Sequence, residues 1–239
     1  MDIEEHILPS TRSDEENNAL IFTLRPTQIF SHYLFKKFAN PENHDTSLVY
    51  PNLQHIERNS SFLSGKKLDY HNDGWAIGGI DYVMLSCLRG DPNIYTNIIA
   101  IDDIIAKLKQ DGNEWVLDHL AQDFITDLET YEQHPILTKD GKINYADFGH
   151  FEPTRDYEEA TAAKNILAKT INSIEPFYRE SLNDKQAVIF NNGKTIHSRD
   201  IKDTELAPES RLLLRMHGDS WAETIKKQEQ EELSNSLAK

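Results

Sequence analysis

Apolar and polar residues alternate over short stretches toward both ends of the chain, whereas in the middle the apolar positions recur every three or four residues. The first pattern marks half-buried strands and the second marks helices with one buried face. Residues 47–50, 61–70, 76–88 and 94–101 therefore read as strands, and strands return at 186–191, 194–198 and 209–217. Helices are expected over 27–39, with Thr27 as N-cap and Pro41 beyond the end, from an Asp102 cap through Lys109, and over 113–130. Asp156 with Glu159 resembles a capping box opening a fourth helix, whose stripe is Ala163, Ile166, Leu167, Ile171 and Ile174. Segment 133–151 reads as mixed strand and loop, and Gly78-Gly79 as a bend or bulge. No repeat or linker interrupts the pattern, so 1–239 is expected to be one domain, with 1–20 and 222–239 peripheral. Periodicity supports an α+β class with a mainly β core and an antiparallel sheet, and nothing finer.

Candidate chemistry sits in the strand-rich ends. His71-Asn72-Asp73 lies just before the apolar run Ile80–Leu88, and His197 lies 126 residues later in Thr195-Ile196-His197-Ser198-Arg199. Two imidazoles and one carboxylate can hold Fe(II) on one octahedral face and leave other positions open. His and Asp two apart in a strand would point to the same side of the sheet. Four of the ten histidines are followed two residues on by an acid: His55/Glu57, His71/Asp73, His150/Glu152 and His217/Asp219. His55 lies in a polar stretch, His150 in a Gly/Pro-flanked loop, and His217 has no later histidine to complete a triad, which leaves His71/Asp73. The plain alternatives are a turn at Asp73-Gly74, a satisfied core histidine at 197, and strand propensity at Thr96. Arg211 and Arg215 interrupt an apolar run, and a buried arginine needs an anionic partner, either a structural carboxylate or a ligand.

Bulk properties narrow the classes. A net charge of -15 leaves no basic stripe to displace counterions, so nucleic acid is not an expected partner, and a cationic or zwitterionic small molecule is mildly favoured. A single cysteine, Cys87, excludes internal disulfides and fits a reducing compartment. No apolar run is long enough to span a membrane and the acidic start is not a signal peptide, so a cytoplasmic location is expected and no oligomeric state follows.

Taken together, His71-x-Asp73, Leu85-Ser86-Cys87-Leu88-Arg89, Asn191-x5-His197-x-Arg199, and Arg211 with Arg215 resemble the Fe(II)/2-oxoglutarate oxygenases of the clavaminate synthase-like and taurine dioxygenase-like group. Within that group the likeness is to hydroxylases of free amino acids. The intervals of fourteen residues from His197 to Arg211 and four from Arg211 to Arg215 match the family's pattern. The resemblance implies a double-stranded β-helix, or jelly roll, with flanking and inserted helices. It implies a catalytic metal centre of His71, Asp73 and His197 for Fe(2+), with 2-oxoglutarate and O2 as cosubstrates. Arg211 and Thr96 would bind 2-oxoglutarate, Thr96 standing 23 residues after Asp73 where the family commonly has about 25. Arg215, Asp147, Asp156 and Trp75 would meet the substrate, the two acids from a lid. A carboxylate at position 73 implies hydroxylation or desaturation over halogenation, because related halogenases lack it. The expected activity is hydroxylation of a C–H bond of a free L-amino acid, basic ones favoured. The competing readings are an oxygenase for a non-amino-acid small acid and a non-catalytic jelly-roll metal-binding protein.

Overall fold

Strands dominate both ends of the chain and helices its middle, as the patterning predicts. The computed structural model describes residues 33, 35–37, 39–40, 46–49, 67–74, 80–126, 131–202 (except 148 and 185) and 211–220. Twelve strands are present among them: β1 Ala39–Asn40, β2 Thr46–Val49, β3 Leu68–His71, β4 Tyr82–Arg89, β5 Ile94–Ala100, β6 Asp123–Ile125, β7 Gln133–Pro135, β8 Glu152–Pro153, β9 Tyr178–Glu180, β10 Ala187–Asn191, β11 Thr195–Ile201 and β12 Leu212–Ser220. Three α-helices with both ends among the described residues accompany them, α1 Ile101–Gln110, α2 Trp115–Leu120 and α3 Tyr157–Ser173.

The strands form antiparallel sheets in which early and late segments are neighbours. One sheet runs β1-β12-β4-β10, with β2 also on β12, and a second runs β3-β11-β5-β9. A small third sheet, β7-β6-β8, lies between α2 and α3 in the chain. Period-two alternation sorts the side chains of β4 onto two faces. Val83, Leu85 and Cys87 share a core with Ile98 of β5, Phe190 of β10 and Leu213 of β12, so this cluster lies between the two main sheets. Met84 faces the other way, with Leu212, Leu214, Met216 and the early residues Phe35 and Ala39. Ile99 and Ile196, on the outer face of the β3-β11-β5-β9 sheet, pack with the buried stripes of α1 (Ile101, Ile104, Leu108) and α3 (Ala160, Ala163, Leu167, Ile171). The mainly β core with helices on one outer face agrees with the expected class.

Several local expectations are corrected. The helix expected over 113–130 stops at Leu120, because Phe124 enters β6 and is completely buried there while its strand pairs with both β7 and β8. Asp156 does not cap α3: it is left-handed (φ 47°, ψ 50°) and makes no side-chain capping bond, whereas a capping residue needs extended backbone. Asp102 lies in the first turn of α1, after the extended N-cap Ala100. Tyr33 and Phe35 are helical, but Ala39 already belongs to β1, so the first helix ends before 39. The expectations for 1–20, 61–66, Gly78-Gly79 and the tail after Trp221 lie outside the described residues. Among the described residues no helix is long and apolar enough to cross a membrane.

Candidate metal centre and anion pocket

The register of the second sheet brings the two histidines together. His71 and His197 are direct partners across β3 and β11, with ring centroids 4.3 Å apart. The pairing slips by one residue between His197/His71 and Arg199/Leu68, a bulge in β3. Because the bulge resets the alternation, Leu68 and His71 both reach the space between the sheets, while Tyr70 packs on the outer helices.

Asp73 reaches the same point by a different route from the one expected. It is not in the strand with His71 but in the turn that follows, where Gly74 takes a left-handed conformation (φ 73°) that glycine adopts without strain. Asn192, fully buried in the 3-10 turn before β11, fixes that turn. Its side-chain oxygen accepts from the Asp73 N–H at 2.9 Å, and its amide donates to the carbonyls of Asp73 at 2.8 Å and Ile80 at 2.9 Å. The neighbouring Asn72 accepts from the backbone N–H of Tyr145 at 2.6 Å, and Asn72 N–H donates to the Tyr145 carbonyl. Thus the Asp73-Gly74 turn and the approach of Asp73 to His71 are features of one segment.

The outcome is three buried groups whose ligand atoms lie within 4.8 Å of one another. Asp73 Oδ1 is 3.7 Å from His71 Nε2 and 3.9 Å from His197 Nε2. His71 Nδ1 donates to the Asp69 carbonyl at 2.8 Å, which leaves the Nε2 lone pair facing the cluster. Burial lowers the pKa of His71, and burial with the adjacent His71 brings His197 down to about 3, so both rings are neutral near pH 7. Burial by itself would raise the pKa of Asp73. Arg215, a hydrogen bond from His217 and the nearby imidazoles overcome it and hold the carboxyl well below the usual range. Two neutral imidazoles and an ionised carboxylate, all converging, are the donor set a divalent metal requires. The residues fit the ion.

The facing sheet supplies two arginines and a further imidazole. Arg211, Arg215 and His217 lie on the inner face of β12 or just before it, opposite in direction to Leu212, Leu214 and Met216. Arg211 is 3% exposed and donates to Thr96 Oγ1 at 2.7 Å, and its Nε has no hydrogen-bond partner among the described residues. Burial lowers its pKa to about 10, and Arg199, which lines the same cleft from β11, is lowered to about 10 by burial and by Arg211. Two buried guanidinium groups lining one cleft give it a positive field that suits an anion.

The cleft brings together His71, Thr96, His197, Arg211 and Arg215. Arg215 Nη1 lies 3.4 and 3.5 Å from the two Asp73 oxygens, so it is placed against the triad. Asp147 and Asp156 are exposed and are not among the residues lining the cleft, and Asp147 accepts from Tyr145 Oη at 2.7 Å. Trp75 lies outside the described residues. Sequence reasoning passed over His217, whose Nε2 is 2.8 Å from Asp73 Oδ2, and Asn192. His217 is two residues beyond Arg215 on one strand face, the periodicity signal that could have found it.

No family model and no curated protein matches the sequence. Solved structures do. Asparagine oxygenase superposes with a TM-score of 0.60 at 20% identity, covering 77% of this chain and 59% of that one. The same enzyme in complex with Fe(II), 2S,3S-3-hydroxyasparagine and succinate gives a TM-score of 0.57 at 18% identity, with coverages of 73% and 56%. A variant of the non-heme iron oxygenase OrfP in complex with (3S)-hydroxy-L-Arg gives 0.58 at 17%, with coverages of 77% and 60%. The chain shares the fold of these oxygenases. It spans less than two thirds of their length.

Proposed function

We propose that this protein is an Fe(II)- and 2-oxoglutarate-dependent dioxygenase, built as a single jelly-roll domain, that hydroxylates a C–H bond of a free polar L-amino acid. The observation that carries the proposal is the convergence of His71, Asp73 and His197 in the same cleft as the buried Arg211. A dicarboxylate cosubstrate explains why a metal donor set and a buried arginine share one cavity. His71, Asp73 and His197 would hold iron. When bound with 2-oxoglutarate and O2, iron supplies the oxidising chemistry, one oxygen atom entering the substrate C–H bond and the other entering succinate as CO2 leaves.

The chain's own part is binding and orientation. Arg211 and Thr96 would grip the distal carboxylate of 2-oxoglutarate, with Arg199 reinforcing the positive field. The apolar wall of Leu68, Leu85 and Leu213 excludes water beside the metal ligands. Arg215 would meet the substrate carboxylate. Two solved neighbours are described with hydroxylated asparagine or arginine, which supports an amino-acid substrate here. The charge of -15, to which the exposed Asp147 and Asp156 contribute, favours approach of a basic one. The reducing location expected from the lone Cys87 fits this chemistry.

Anaerobic titration with Fe(II) and then 2-oxoglutarate tests the cofactor assignment, a weak visible charge-transfer band being the expected result. A panel of the twenty amino acids, read by mass spectrometry for a gain of one oxygen, tests the substrate. Absence of the band overturns the whole proposal, while oxidation of a non-amino-acid acid alone overturns only the substrate.

A further inference from the structure

We infer that His217 is a positioning residue that selects which oxygen of Asp73 faces the two imidazoles. The inference rests on the iron-site reading above. A carboxylate has two equivalent oxygens, and something must break that equivalence if only one is to be offered to a metal. Arg215 does not: its Nη1 lies 3.4 Å from Oδ1 and 3.5 Å from Oδ2, a grip that treats the two alike. His217 does, because its Nε2 lies 2.8 Å from Oδ2. The other oxygen, Oδ1, is then the one turned toward His71 Nε2 and His197 Nε2, at 3.7 and 3.9 Å.

Hydrogen direction follows from the chemistry of the pair. An ionised carboxylate only accepts, so the contact requires the hydrogen on His217 Nε2. The donor comes from the opposite sheet: β12 carries Arg215 and His217 on one face by strand alternation, with His217 in register with Val83 of β4. Asn192 fixes the backbone of Asp73 from the β11 side, so the side chain retains only the freedom to rotate about its own bonds. His217 removes that freedom. A carboxylate held at one oxygen by a neighbouring donor presents the remaining oxygen singly, which leaves more of the metal's positions for cosubstrate and substrate. Groups that orient a metal ligand in this way typically change metal affinity by about 10–100-fold when removed.

Three forms of the 239-residue chain test this: wild type, His217→Phe, which keeps ring volume without a donor, and His217→Gln, which keeps a donor. Each is titrated with Co(II) in the absence of 2-oxoglutarate, and affinity and the visible Co(II) spectrum are recorded alongside circular dichroism. The expected result is Co(II) affinity about tenfold or more weaker in His217→Phe with an altered spectrum, and recovery to within about threefold in His217→Gln. Equal affinity and an unchanged spectrum in folded His217→Phe overturn the inference. If His217→Phe does not fold, His217→Gln decides: a near wild-type spectrum and affinity support the inference, and a tenfold loss overturns it. Failure of wild type to bind Co(II) at all would instead remove the metal-site reading on which the inference stands.

Discussion

Replacing Arg211 with Met separates a ligand anchor from a structural ion pair, because the two roles move stability in opposite directions. Met conserves much of the apolar stem and volume while removing the charge. In the ligand-free protein the buried guanidinium is a burden: the fall of its pKa from 12.5 to about 10 corresponds to roughly 3 kcal/mol against the charged form. The offset visible in the structure is the 2.7 Å bond to Thr96, worth about 1 kcal/mol net. Arg211→Met should therefore melt at or above the wild-type temperature without ligand. Cosubstrate binding should move the other way. Truncating one partner of a buried charge pair costs about 2–5 kcal/mol, so affinity for 2-oxoglutarate should fall by roughly two orders of magnitude. Thermal melts with a fixed excess of Mn(II), with and without 2-oxoglutarate, read both effects at once. At 100 times Kd a ligand stabilises the wild type by about 2.7 kcal/mol, and the variant should lose most of that increment. A ligand-free variant destabilised by several kcal/mol, with its 2-oxoglutarate increment intact, would refute the reasoning and return Arg211 to a structural role.

Three further outcomes follow from the same geometry. Asp73→Gly should keep the fold but abolish hydroxylation; product analysis with and without added chloride checks it, and full retained hydroxylation removes Asp73 from the metal. Asn192→Ala strips three hydrogen bonds from the Asp73–Ile80 backbone, and leaving such groups buried costs about 1–3 kcal/mol each, so urea unfolding should show a loss of several kcal/mol with weaker Co(II) binding. The Cys87 thiol, buried and pushed up to about 11, stays protonated at pH 8; a disulfide exchange reagent should label it only when urea is added, and rapid labelling of the folded protein would contradict its burial.

How far the sequence was legible depended on whether a signal was local. Alternation in Tyr82–Arg89 and Ile94–Ala100, and the three-to-four spacing of α3, are local, and those elements lie where they were expected. The end of α2 was not local: nothing within 113–130 announces that Phe124 will be claimed by β7 and β8, and tertiary pairing overrode helix propensity there. Asp156 failed for a similar reason, since a capping pattern specifies residue types but not the backbone angle that makes capping possible.

The candidate site divides along the same line, because His71 and Asp73 converge by a route other than the one their spacing predicts. His71 and Asp73 were joined because residues two apart on a strand share a face. Asp73 has in fact left the strand, and the pair converges because a bulge re-aims His71 while Asn192 captures the turn from 119 positions away. A separation of two therefore did not by itself bring the pair together. Another His-x-acid pair, His217/Asp219, was set aside for lacking a later histidine. Its His217 nonetheless lies beside the cluster, in hydrogen-bond contact with Asp73 Oδ2. Ligand patterns encode the atoms that would face a metal; the atoms that aim them come from whichever strand the topology lays opposite. Here that strand is β12, and only the pairing of β12 with β4, in a sheet facing β3 and β11, reveals it.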